Sequence, residues 1–144
     1  MFIKQISVFV ENKQGRLYSL TSALGEGGVD ILGLTVADTT QYGILRLIVD
    51  KTDLAIKIAN DAGFTATTSD VLGIEVPDHP GGLSGVFNIL TENGINVEYL
   101  YSFSHKPGKG AIIIFKVNDI QTAVSALEGK KIGLLLQEDI LNLY

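Results

Sequence analysis

Gly28-Val29-Asp30-Ile31 and Gly94-Ile95-Asn96-Val97 lie 66 residues apart, and the matches around them decide how this chain folds. At the same offset Ile6, Val8 and Val10 fall on Leu72, Ile74 and Val76, and Gly15 and Leu17 fall on Gly81 and Leu83. Leu20 and Leu24 fall on Val86 and Leu90. Further along the offset becomes 68, with Val49 on Val117, Ala55 on Ala123 and Ile56 on Val124. The second copy therefore carries a two-residue insertion between Val97 and Val117, of the size a loop tip absorbs. An ordered series of matches running through strand, turn, helix and strand is an internal duplication.

Each copy reads alike. Ile6, Val8 and Val10 alternate with Gln5, Ser7 and Glu11, the period of a strand buried on one face. A glycine-containing turn follows, then Leu17, Leu20 and Leu24 at helical spacing, with Leu83, Val86, Phe87 and Leu90 in copy two. Gly25 to Gly28, and Asn93-Gly94, tolerate the left-handed conformation of a helix C-terminus. Second strands are predicted from Val29 to about Asp38 and from Ile95 to about Ser104. Hairpin tips follow at Thr39 to Gly43 and His105 to Gly110, then third strands at Ile44–Val49 and Ala111–Val117. Thr52 and Asn118 are the expected N-caps of second helices stopped at Gly63 and Gly129, with fourth strands from near Phe64 and Ile132. The order β-α-β-β-α-β is the ferredoxin-like unit, an antiparallel sheet with two helices on one face. The fold class is thus α+β, two such units packed side by side, repeat 1 over residues 1–70 and repeat 2 over 71–144. A unit of about 70 residues gains little stability from a single core, which favours packing of the copies together.

Composition narrows the function. The chain has 144 residues, 46% of them hydrophobic, enough for a packed core. Its net charge of −5 disfavours nucleic acid and anionic membranes as partners. Without cysteine there is no thiol nucleophile, disulfide framework or Cys–zinc site. Apolar runs such as Ala111–Phe115 are far short of the roughly 20 residues that span a bilayer. The start Met1-Phe2-Ile3-Lys4-Gln5-Ile6 lacks the pattern of a signal peptide, and a cytoplasmic location is expected.

The conspicuous segment is Val76-Pro77-Asp78-His79-Pro80-Gly81-Gly82-Leu83-Ser84-Gly85, set between a strand and a helix start. Unpaired backbone N–H groups and the positive end of the helix dipole would stabilise a carboxylate there. Gly81 and Gly82 admit close approach of another backbone or a ligand. The plainer reading is a tight turn with Asp78 capping the helix.

Asp78-x-Pro80-Gly81-x-Leu83 at the first turn of a β-α-β-β-α-β unit, with Gly94-Ile95-Asn96-Val97 opening the second strand, resembles the ACT-domain family. Such modules are regulatory, bind amino acids and often occur in tandem; the resemblance covers nearly the whole chain, once per copy. The first copy keeps Gly15 and Leu17 in Asn12-Lys13-Gln14-Gly15-Arg16-Leu17 but has Gln14 at the proline position. The resemblance implies a non-catalytic protein without cofactor, binding a free amino acid at seams between repeats. One seam would join Asp78, His79, Pro80, Gly81, Gly82 and Leu83 to Asp30 and Ile31. The other would join Asn12, Gly15 and Leu17 to Asn96 and Val97. Helix-terminal N–H groups would take the α-carboxylate and side-chain oxygens the α-ammonium. The seam with Pro80, paired glycines and two acids is expected to be the better site. The alternative is a ligand-free module for homo-oligomerisation or for binding a partner enzyme; a small enzyme using Asp78, His79 and Asp30 is a rival from another class.

Other features point to no chemistry. His79 and His105 lie on loops, where solvent-exposed histidines are the plain reading, and metal ligation is not expected. Gly25-Glu26-Gly27-Gly28 follows a helix and precedes a strand, the reverse of a dinucleotide loop, and Lys106 to Gly110 lacks P-loop spacing. Tyr99, Tyr101 and Phe103 share one face of the second strand of copy two and Leu100 takes the other, but a period of two leaves open which face is inward.

Overall fold

The computed structural model describes residues 2–38, 41–77, 79–103, 110–130 and 132–143. Strand β1 (Ile3–Glu11), helix α1 (Arg16–Glu26), strands β2 (Ile31–Asp38) and β3 (Tyr42–Val49), and helix α2 (Thr52–Asp61) lead into the long strand β4 (Thr65–Val76). Then come α3 (Gly82–Glu92), β5 (Val97–Phe103), β6 (Ala111–Val117), α4 (Ile120–Glu128), β7 (Gly133–Leu135) and a short α5 (Gln137–Leu141). The β-α-β-β-α-β order expected of each copy is borne out, with one economy. The last strand of the first copy and the first strand of the second are a single strand, β4. Compact packing separates Lys4–Ser69 from Asp70–Tyr144 with Met1–Ile3, so the division falls within β4.

The first unit has the strand order β2-β3-β1-β4. Pairing is antiparallel, with Val8 and Val36 both opposite Leu45. Ile6, Val8, Val10, Leu45, Leu47 and Val49 pack on Leu20 and Leu24 of α1 and Ala55 and Ala59 of α2. Phe64 completes this core, and the Arg16 guanidinium lies over its ring, 4.4 Å from the centroid. That contact gives the first helical residue of α1 an aromatic surface to cover.

In the second unit β4 lies between β6 and β7, and β5 pairs with β6. Leu72, Ile74, Val76, Ile113, Phe115 and Val117 pack against Val86, Leu90, Ala123 and Leu127 of α3 and α4. Phe87 meets Phe115 edge to face, with ring centroids 5.8 Å apart. Register assigns the aromatic row of β5. Leu100 stands opposite Phe115 and shares its helix-side face, whereas Tyr101 and Phe103 stand opposite Ile114 and Ile112 on the other face. They are nevertheless buried, Phe103 only 2% exposed, and Tyr99 is half-buried. The row is therefore no open aromatic surface. Burial on both faces also explains why β6 reads as the nearly continuous apolar run Ala-Ile-Ile-Ile-Phe.

Both second strands carry an irregularity at the same repeat position, between Ile31 and Gly33 and between Val97 and Tyr99. The extra residues, Leu32 and Glu98, break strict alternation, so Ile31 and Leu34 both lie on the helix side. Helix caps shift slightly from expectation. Lys51, not Thr52, is the N-cap of α2, and Asp119, not Asn118, is that of α4. The Asp119 carboxylate accepts from the Thr122 N–H at 3.2 Å and the Thr122 hydroxyl at 2.7 Å.

Candidate functional site

The two strand-to-helix loops have one backbone design. In the first, Lys13 N–H donates to Glu11 O, Arg16 N–H to Lys13 O and Ser19 N–H to Gly15 O. In the second, His79 N–H donates to Pro77 O, Gly82 N–H to His79 O and Gly85 N–H to Gly81 O. The N-caps are Gly15 (φ 88°, ψ −9°) and Gly81 (φ 88°, ψ −8°), both left-handed and neither with a side-chain cap. This conformation is why glycine stands at both positions. The loop without proline thus has the same turn as the loop with Pro80. The two helix starts leave the N–H groups of Leu17 and Tyr18, and of Leu83 and Ser84, without acceptors in their own helices. Such donors suit a carboxylate.

The loops differ in their side chains. Gly82 is buried, and a Cβ there would meet the Pro77 carbonyl oxygen, whereas Arg16 at the matching position reaches Phe64. His79 and Pro80 are exposed, and His79 Nδ1 lies 2.9 Å from Pro80 O. Leu83 packs on its unit's core, whereas Leu17 is 47% exposed. Asp78 lies outside the described residues, as does His105.

Asp30 and Asn96 occupy equivalent turns, each closed by a reciprocal clasp. Asp30 N–H donates to Asp50 Oδ1 at 2.9 Å and Asp50 N–H to Asp30 O at 3.2 Å. Asn96 N–H donates to Asn118 Oδ1 at 2.9 Å and Asn118 N–H to Asn96 O at 3.2 Å. This pairing also explains why Asn118 is not the cap of α4. The clasps use the backbones of Asp30 and Asn96 and leave both residues exposed. Ile31 and Val97 are half-buried against the cores of their own units.

Within the first unit, Asn12 and Leu17 line a cleft of about 80 Å³ together with residues that sequence reasoning missed. Val10, Leu17, Val36 and Leu45 form apolar walls, and Gly43 leaves room between strands. Glu11, Asn12 and Lys13 complete the lining, and strand alternation puts the Glu11 side chain on the face opposite Val10. Asn12 N–H donates to Gln41 O at 2.9 Å, tying the loop to the β2–β3 hairpin. Lys13 Nζ is 3.0 Å from Glu11 Oε2; its hydrogen bond and charge hold the Glu11 carboxyl below its usual range, with a smaller contribution from Arg16. The alternation of Glu11 and Lys13 around Asn12 was the one available sequence signal, because Val36, Gly43 and Leu45 arrive from other strands.

The described residues contain no group of three or more His, Asp or Glu side chains placed to hold a metal. No helix among them is long and apolar enough to cross a membrane.

Comparison with known proteins agrees with this architecture. No curated protein matches the sequence. Among solved structures, protein BT0572 from Bacteroides thetaiotaomicron superposes with a TM-score of 0.92 at 35% identity, over 99% of this chain and 98% of that one. The ligand-free regulatory subunit of aspartate kinase from Thermus thermophilus has a TM-score of 0.64 at 15% identity, over 90% and 93% of the two chains. The corresponding subunit from Thermus flavus has a TM-score of 0.62 at 14% identity, over 90% and 92%. At those identities the two kinase subunits attest the fold alone. The family model for an ACT domain pair matches residues 1–144, and the chain belongs to that family of regulatory modules.

Proposed function

We propose that this chain is a non-catalytic regulatory protein that binds a free amino acid. Family membership supports the reading, and the observation that carries it is the repeated helix start at Gly15 and Gly81, with identical left-handed glycines presenting backbone donors. In this proposal the donors of Leu17 and Tyr18, or of Leu83 and Ser84, take the α-carboxylate. The exposed side-chain oxygens of Asp30 or Asn96 take the ammonium. The same reading makes the protein cytoplasmic and a homodimer or companion of a partner enzyme, whose activity the bound amino acid modulates.

Thermal-shift measurement with each free amino acid tests this directly. A ligand at 100 times its dissociation constant adds about 2.7 kcal/mol and raises the melting temperature by several degrees. Asp30→Ala and Asn96→Ala then report which repeat's second strand contributes to binding. Absence of a shift with every amino acid would refute ligand binding and favour a ligand-free assembly module. A specific feature favours that second reading: Leu34 and Val36 of β2 are 53% and 45% exposed on the helix side of their strand. Apolar side chains in such positions suit a partner surface.

A further inference from the structure

We propose that Asn93-Gly94, at the C-terminus of α3, is a site of spontaneous deamidation that the helix cap holds in check and whose product loosens the start of β5 in the second repeat alone. It is the one Asn-Gly step in the sequence. Both residues are exposed, and glycine has no Cβ to hinder attack by its backbone nitrogen on the preceding side chain.

The turn explains why this pair stands there. Ile95 N–H donates to Leu90 O at 2.9 Å and Gly94 N–H to Thr91 O at 3.1 Å, the paired bonds of a Schellman motif, with Gly94 left-handed at φ 70°. Asn93 is the C-cap, and its Nδ2 donates to Ile89 O at 2.8 Å. The first repeat closes α1 in the same way, with Val29 N–H donating to Leu24 O and Gly28 N–H to Gly25 O. Its C-cap, however, is Gly27, where an added Cβ would meet Ile58 Cδ1. Of the two caps, only that of the second repeat carries an amide that can react.

In the closed cap both nitrogens that the reaction uses are engaged in hydrogen bonds. Helix ends fray at low cost, and fraying frees them. The deprotonated Gly94 nitrogen then attacks Asn93 Cγ; the new N–C bond closes a succinimide ring and Nδ2 leaves as ammonia. Water opens the ring at either carbonyl, leaving aspartate or isoaspartate at position 93. Either product lacks the Nδ2 donor and adds a carboxylate at the negative end of the helix dipole. Isoaspartate also lengthens the main chain by one methylene, three residues before Asn96 and its clasp to Asn118.

Incubation of the full chain at neutral and mildly alkaline pH, folded and in guanidinium chloride, followed by peptide mass mapping with enzymatic detection of isoaspartate, tests the site. The mass gain of an amide-to-acid change is expected at Asn93, faster at the higher pH, and not at Asn60 or Asn118, whose next residue is aspartate. Breaking two hydrogen bonds first should slow the folded chain roughly tenfold to a hundredfold relative to the unfolded one. Asn93→Gln, whose longer side chain would have to close a larger ring, should lose the mass gain. Asn93→Asp makes one product directly and should lower the melting temperature by roughly 2–4 °C, the shift for one lost hydrogen bond at this chain length. It should also speed amide exchange at Ile95 and leave that at Val29 unchanged. Equal rates in the folded and unfolded chain overturn the inference, as does no gain in the folded chain after an incubation long enough for the expected retardation to show it. Unchanged Ile95 exchange in Asn93→Asp also overturns it.

Discussion

Three glycines at the start of α3 provide a graded test, because each is glycine for a different reason. At Gly81 the obstacle is conformational. Its φ of 88° lies in the left-handed region, while a Cβ would find only Ser84 Oγ, 4.0 Å away. Gly81→Ala should therefore cost about 1–2 kcal/mol, the penalty of placing an ordinary residue in that region. Gly15→Ala should cost the same, since its φ is also 88° and nothing lies within 4 Å of its Cβ position. At Gly82 the obstacle is contact, because an added Cβ would meet the backbone oxygen of Pro77. A backbone oxygen cannot rotate away as a side chain can, so Gly82→Ala must displace the helix start and should cost more than Gly81→Ala. Gly85 is inside the helix with open space at its Cβ position. Gly85→Ala should stabilise by about 0.8–1 kcal/mol through helix propensity.

Urea denaturation followed by far-ultraviolet circular dichroism gives the four values from midpoints at constant slope. In thermal melts each 1 kcal/mol corresponds to roughly 2–4 °C at this chain length. The expected order of stability is Gly85→Ala, wild type, Gly81→Ala with Gly15→Ala, then Gly82→Ala. A destabilised Gly85→Ala, or a Gly82→Ala variant as stable as wild type, would refute the loop geometry on which the ligand site depends.

Phe115 is fully buried and meets Phe87 edge-on, so Phe115→Ala should cost about 3–5 kcal/mol, measured by the same denaturation, and would be refuted by a loss below half that. Asp119 accepts hydrogen bonds from the Thr122 hydroxyl and N–H, which hold its folded-state pKa below the ordinary 3.8. Its contribution to stability is therefore present above that ordinary value and disappears as pH falls through the lowered one. Asp119→Asn should show a flatter loss of stability in acid than wild type, and an unchanged acid profile would exclude the cap as its source.

The duplication, the element order and the family were legible in sequence because they depend on local periodicity and on matches at a fixed offset. Ile6, Val8 and Val10 alternate whatever they pack against, and Gly15 and Gly81 mark a left-handed turn that depends on two dihedral angles. Near each helix start the reading was less exact. Asn118 and Asp119 are adjacent residues that can both accept hydrogen bonds, and only the clasp to Asn96 decides which caps α4. The face taken by Tyr101 and Phe103 was likewise undecided, because alternation is symmetric until a neighbouring strand sets the register. Even then their burial ran against what their face suggested.

Tertiary structure alone made the candidate cleft. Val10 and Glu11 end β1, Leu17 begins α1, Val36 lies on β2, and Gly43 and Leu45 lie on β3. Nothing in the order of these residues along the chain says that their side chains converge. They meet because antiparallel pairing places Val10 opposite Gly43 and Val36 opposite Leu45, and because the left-handed Gly15 turns α1 back across those strands. Pattern along the chain determined which elements form and in what order. Register and turn geometry, which are relations between distant residues, decided what those elements enclose.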